Sequence, residues 1–297
     1  MADDDPRHTN TPPAPPAGQD TPNPTTTNTN TVDTDTTDES FPPITPGGSL
    51  MLAWQPRDRP ILLVGGGNVA ASRLDHLLNA SATSIILIAP PPLHPSILHR
   101  LHTHPSSITH HPRLFLPSDL TTTPPPSLIL TAVDDPAVSS AIHALAVASN
   151  IPINVADVPP LCDFYFGAIH RAGPLQIMVS TNGNGPRLAA SIRDRIADSL
   201  PKNIPEAIAN VGILRKKLRN IASAGTTGEI SKRMAFMSAV CDSWSFEQLA
   251  EMTEADMDVI LAGYPDGTVK SYDDVKKVET LMAAVHLGEA ADNHSTT

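Results

Sequence analysis

The chain has 297 residues, a formal net charge of −11 and only 4% aromatic residues. That length allows one large domain or two small ones with a real core, and the acidic balance excludes a protein that coats nucleic acid, because counterion release needs clustered Lys and Arg. Two distant cysteines, Cys162 and Cys241, give neither a disulfide framework nor a CxxC metal knuckle and suit a reducing compartment.

Residues 1–48 are Pro, Thr, Asn and Asp with almost nothing apolar to bury, so they are predicted to form a disordered acidic tail. The tail has neither the apolar core of a secretory signal nor the Arg-rich pattern of a transit peptide, and no later apolar run is long enough to span a bilayer. The expectation is a soluble, cytoplasmic protein.

From about Ser49 the texture changes. PILLVGGGNVAASRLDHLLNA is an apolar run, a glycine cluster, and then Val69, Leu74, Leu77 and Leu78 at helical spacing. SIILIAP reads as a second buried strand, ended by Pro90 to Pro92. A Pro/His-rich connection follows, then RLFLP as a short strand and SLILTAV as a stronger one. DPAVSSAIHALAVASN starts on Asp-Pro and carries an Ala-rich helix, and IPINVA is the next strand. Strands alternating with helices predict a Rossmann-like, doubly wound parallel sheet over residues 49–158. DFYFGAIHRAGPLQIMVST then predicts two strands turning at Arg171 to Pro174, a strand pair spanning 159–185. Residues 186–297 read as a helical region that starts at Pro186 and runs to about residue 288. The cluster Arg215, Lys216, Lys217 and Arg219 reads as the solvated face of a helix.

Gly65, Gly66, Gly67, Asn68, Val69 and Ala70 satisfy G-x-G-x-x-G/A between a strand and a helix. Gly65 allows the tight turn, Gly67 lets backbone amides approach a pyrophosphate, and Ala70 permits close helix packing. The helix N-terminus then offers unpaired N–H groups to the phosphates. NAD or NADP binding is expected. The choice between them stays open, because Ala89-Pro90-Pro91-Pro92 stands where an acidic residue usually holds the ribose.

The stretch NVADVPPLCDFYFGA places Asp157 just past a parallel strand, with Asp163 and three aromatics behind it. A carboxylate there faces the crevice at the carboxyl ends of the strands, where it could act as a base or merely cap the loop before Pro159. Ser180, Thr181, Asn182 and Gly183 form a polar loop whose donors could meet carboxylates, and Arg187 and Arg193 are candidate cations. Asp163 is the less certain site member. His94, His99, His102, His104, His110 and His111 invite a metal reading, but they lie in a proline-punctuated connection and no metal site is assigned to them.

GGGNVA, NVADVPPLCDFYFGA and STNGNGPRLAASIRDRI, in this order and spacing, resemble the sirohaem synthase family in its stand-alone fungal form. The resemblance runs from about Ser49 to Leu200 and more loosely beyond. It implies oxidation of precorrin-2 to sirohydrochlorin with NAD+, then insertion of Fe2+ as substrate to give sirohaem, with Asp157 serving both steps. It also implies a homodimer formed through the strand pair, with the aromatic run packing that pair beside the site. The methyltransferase module of bacterial relatives is not expected in the remaining length. Two competing readings stay open: a dehydrogenase alone, and a non-catalytic dinucleotide-binding redox sensor.

Overall fold

The computed structural model describes residues 44, 46–223 and 225–278. The predicted acidic tail lies almost wholly outside the described residues, as does the last stretch of the helical region, from residue 279 onward.

Five strands, β1 (Ile61–Val64), β2 (Ile85–Ile88), β3 (Ile108–His111), β4 (Leu128–Thr131) and β5 (Ile153–Val155), pair in parallel in the order β3-β2-β1-β4-β5. The central strand has both faces covered, which its sequence ILLV anticipates. Ile61 and Leu63 point into one core with Leu74 and Leu77 of helix α1 (Asn68–Asn79) and Ile97 of α2 (Pro95–Thr103). Leu62 and Val64 point into the other, with Ile142 and Ala146 of α3 (Pro136–Ala148). Chain order runs outward from β1 to β3 and then returns to β4 on the other side of β1. The crevice between the ends of β1 and β4 is therefore the switch point at which doubly wound sheets bind ligands.

Local signals set the helix ends. The Asp135 carboxylate accepts the Ala137 and Val138 N–H groups at the start of α3. At its end Asn150 takes φ 53°, and the Ile151 N–H reaches back to the Ala146 carbonyl.

The expected strand at RLFLP is not one: β3 is Ile108–His111, and Arg113 to Leu116 form a connection held by Asp119, whose carboxylate takes two bonds from Arg113 and one from the Leu116 N–H. Only Ile108 of β3 is buried, because an edge strand needs few apolar residues, and this hid it behind its histidines. The preceding Pro/His-rich stretch contains α2, capped by His94 accepting the Ser96 N–H.

β6 (Ala168–Ala172) and β7 (Leu175–Val179) form the antiparallel pair, joined by the two-residue turn Gly173-Pro174, shorter than the four residues expected. Gly173 has φ 55°, the positive value that short hairpins demand. Helices α4 (Pro186–Asp198), α5 (Ile204–Ile221), α6 (Thr227–Ser243), α7 (Phe246–Ala250) and α8 (Glu254–Leu261) follow. Leu214, Leu218, Phe236, Trp244 and Ile260 centre a third core, into which Ala172 and Leu175 of the hairpin tip also pack. The basic cluster lies on α5, where Arg215, Lys216 and Arg219 are exposed and Lys217 pairs with Asp258 at 3.0 Å.

Asp256 is completely buried in this third core, where it accepts the Thr253 N–H at 2.9 Å and the Lys276 ammonium at 2.6 Å. Burial by itself would raise its pKa, but the bonds from Lys276 and Thr253 outweigh it and the carboxyl sits below its ordinary value. A depressed native pKa contributes stability above the unfolded pKa of about 3.9, and this is lost as pH falls through the native value. Asp256→Asn is expected to cost about 1–3 kcal/mol at pH 7 and progressively less as pH falls below about 4, read from urea midpoints across that range.

Candidate active site

The glycine loop begins where β1 ends. Gly65 has φ 125°, and a Cβ there would stand 2.2 Å from the Ala132 carbonyl oxygen at the end of β4, so only glycine fits. A Cβ on Gly66 would press on Leu93 and Ala89. Gly67 is different: φ is −89°, and an added Cβ would meet nothing within 4 Å. The protein itself does not require glycine at Gly67, so its smallness leaves room for a group in front of the loop. Behind that space α1 starts with no side-chain cap and no acidic residue in its first turn, which leaves amides and the positive end of the helix facing outward. Asn68 and Val69 are exposed there, while Ala70 is buried against the sheet. The residues present thus fit a pyrophosphate.

At the end of β2, Ala89 accepts a ring-nitrogen contact from His110 at 2.9 Å, and Pro90 to Leu93 lead back over the loop so that the His94 N–H bonds to the Gly66 carbonyl. Ala89 to Pro92, where an acidic residue would usually hold a ribose, include no carboxylate.

Asp157 follows β5 on a tight turn closed by the Val158 N–H on the Val155 carbonyl. It has φ 60°, a left-handed conformation that L-residues other than Asn and Asp rarely adopt. Its carboxylate is exposed and makes no hydrogen bond among the described residues, so it does not cap the loop. The turn is organised from beneath by Cys162, whose thiol donates to the Val155 carbonyl at 3.1 Å and whose sulfur accepts from the Val155 N–H at 3.3 Å. Burial pushes that thiol's pKa up and keeps it protonated. Asp163 is structural: its backbone N–H bonds to the Ile153 carbonyl and its carboxylate takes the Ile153 N–H at 2.9 Å, which ties this segment to the start of β5.

The aromatic run does not pack the strand pair as expected. Phe164 and Phe166 lie against the α1 core, with ring centroids 5.9 Å apart, and Tyr165 bonds to the Pro159 carbonyl, two residues past Asp157. Pattern reading also missed Arg73 of α1, whose guanidinium carbon sits 3.9 Å above the Phe166 ring centroid. Burial pushes the Arg73 pKa down, and the negative charge of Asp157 partly offsets this. The contact that reveals Arg73 spans 93 residues, and no local periodicity encodes it.

The loop from Ser180 to Gly183 is partly turned in on itself. Ser180 Oγ accepts the Asn182 N–H, Thr181 Oγ1 accepts the Gly185 N–H, and the Asn182 side chain bonds to Ser49. Nothing among the described residues joins this loop to Asp157 or to the glycine loop. Arg187 is exposed without a partner among the described residues, and Arg193 is engaged by Asp194 and the Ile169 carbonyl. The histidines are spread along α2 and β3, and no group of three or more metal-ligating side chains forms among the described residues. No described helix is long and apolar enough to cross a membrane.

Comparison with known proteins places this geometry. Residues 52–168 match an NAD(P)-binding model, residues 172–199 the central model of sirohaem biosynthesis proteins, and residues 201–270 the corresponding C-terminal model. "Siroheme biosynthesis protein met8" of Schizosaccharomyces pombe is 42% identical over 225 residues, 76% of this chain and 83% of that protein. The chain belongs to the sirohaem biosynthesis family. Another relative, "Siroheme synthase" of Methylobacillus flagellatus, is 33% identical over 184 residues, which are 62% of this chain and 38% of that longer protein. Among solved structures, "SirC, precorrin-2 dehydrogenase" matches 73% of this chain and all of its own with a TM-score of 0.56; at 16% identity the likeness is one of fold. In this chain the glycine loop and Asp157 both lie at the carboxyl ends of the parallel strands.

Proposed function

We propose that this chain oxidises precorrin-2 to sirohydrochlorin with NAD+ and then inserts Fe2+ to give sirohaem. The observation that carries the reading is Asp157: an exposed carboxylate, held left-handed at the carboxyl end of a parallel strand, with no hydrogen bond among the described residues to occupy it.

In the first step precorrin-2 loses two electrons and two protons. NAD+, seated on the glycine loop, would accept the hydride. Asp157 would take a proton from the macrocycle and release it to solvent. In the second step Fe2+ replaces two pyrrole N–H protons, and the same carboxylate would accept protons as the metal enters. The open space before Gly67 and the free amides of α1 hold the pyrophosphate, and the Cys162 turn keeps Asp157 presented. Residues 49–158 bind the dinucleotide in this reading, 159–185 contribute to self-association, and the helical region from 186 supports them. The unpaired thiols of Cys162 and Cys241 suit the cytoplasm. The test is an anaerobic assay with sirohydrochlorin and Fe2+ but no dinucleotide, which should yield sirohaem faster than a protein-free control. A rate equal to the control would remove the chelatase half.

Self-association belongs to the same proposal. Among the described residues the strand pair has no third strand, and α4 beside it exposes Leu188, Ile192 and Ile196 at 61%, 39% and 38%, one stripe at helical spacing. A second copy of the chain covering this stripe would form a two-fold dimer. Ile192→Glu is expected to shift sedimentation from dimer to monomer, while a monomeric wild type would refute the dimer.

A further inference from the structure

Arg73 has no role in the chemistry above, yet its setting is unusual for an arginine. It makes no hydrogen bond or ion pair with any described residue. Its Nε is shut off from solvent with no acceptor, whereas neither of its Nη groups is closed off in this way. The ring beneath it, Phe166, is braced by Phe164 and by His76, whose centroid lies 5.4 Å away one turn further along α1. The stack therefore fixes the direction of the guanidinium while leaving its outer donors unused. Desolvating a cation without a hydrogen-bonded partner is unfavourable, and the planar fork of an arginine matches an oxyanion in two-point contact.

Position narrows the oxyanion's source. Arg73 is the sixth residue of α1, roughly 8 Å along the axis from its start at a rise of about 1.5 Å per residue. The ring it stacks on, Phe166, follows Tyr165, whose hydroxyl bonds to the Pro159 carbonyl two residues past Asp157, so the guanidinium is tied to the segment that carries that carboxylate. We propose that Arg73 is a substrate-orienting residue, its guanidinium receiving a peripheral carboxylate of the tetrapyrrole and so fixing which edge of the macrocycle lies against Asp157. The inference rests on the proposed function. The same chemistry would also accept a dinucleotide phosphate, which the test separates.

The test uses the full chain and follows metal-free sirohydrochlorin by its own absorbance without Fe2+, with NAD+ binding measured separately by calorimetry. In Arg73→Met, sirohydrochlorin should bind on the order of tenfold to a hundredfold more weakly and with a shallower salt dependence, while NAD+ affinity stays within about twofold. Unchanged sirohydrochlorin affinity would overturn the proposal. So would weakened NAD+ binding with the tetrapyrrole unaffected, which moves the oxyanion to the cofactor. Should the methionine variant fail to fold, Arg73→Lys keeps a charge without the fork and should show a raised KM for the tetrapyrrole at unchanged NAD+ affinity; a wild-type KM there would also overturn it. A wild-type protein that binds no sirohydrochlorin refutes the proposed function itself and is thereby told apart from a failure at Arg73.

Discussion

Asp157→Asn is expected to lower the rate of precorrin-2 oxidation by about 10²–10⁴, the range that a positioned general base supplies, while NAD+ binds as in the wild type. Asparagine is the informative replacement because it also tolerates the left-handed backbone at φ 60°. It keeps the turn and the side-chain shape and removes only the base, whereas alanine would add strain of roughly 1 kcal/mol. Iron insertion should fall in the same variant under the proposal that one carboxylate serves both steps. Single-turnover absorbance with NAD+, and separately with Fe2+, reads the two effects. Near-normal oxidation in the asparagine variant would sink the mechanism, and loss of oxidation alone would assign the carboxylate to one step.

The glycine loop makes a second large prediction, in which two neighbouring glycines behave oppositely. Gly67→Val should fold, because its backbone is ordinary and its Cβ meets nothing in the protein, at a cost of about 1 kcal/mol or less for a poorer N-cap. It should nevertheless weaken NAD+ by about 100-fold or more, equivalent to roughly 2.7 kcal/mol, because the side chain fills the space for the pyrophosphate. Gly65→Ala should instead lose stability, by about 3 kcal/mol or more, since its Cβ strikes the Ala132 carbonyl and its φ is positive. Thermal unfolding and calorimetry with NAD+ on both variants separate the roles. If Gly67→Val bound NAD+ normally, the loop would be a structural turn only.

These expectations show what local sequence encodes. The parallel sheet was legible because ILLV, IILI and the LIL of β4 are unbroken apolar runs, and the glycine loop because its spacing is set by a turn and a helix start. β3 was misplaced because ITHH buries one residue, whereas RLFLP has the apolar content of a strand and none of its pairing. The three capping signals at Thr226, Ser245 and Thr253, each bonded to an N–H three residues on, were written in the sequence and mark helix starts in the C-terminal region. Asp157 was visible from its place after a strand, but its left-handed backbone was not, and Asp163, already the less certain site member, is tied up by the Ile153 N–H. Arg73, Cys162 and Phe166 act through contacts between segments that pattern alone does not join.

The most direct test of the central claim is an anaerobic absorbance time course of the purified protein with enzymatically generated precorrin-2, adding NAD+ and then Fe2+. The account predicts conversion to the sirohydrochlorin spectrum only after NAD+, with stoichiometric NADH, and then conversion to sirohaem after Fe2+ at a rate above the protein-free control. No acceleration on adding NAD+ would contradict it and leave a protein that binds dinucleotide without this chemistry.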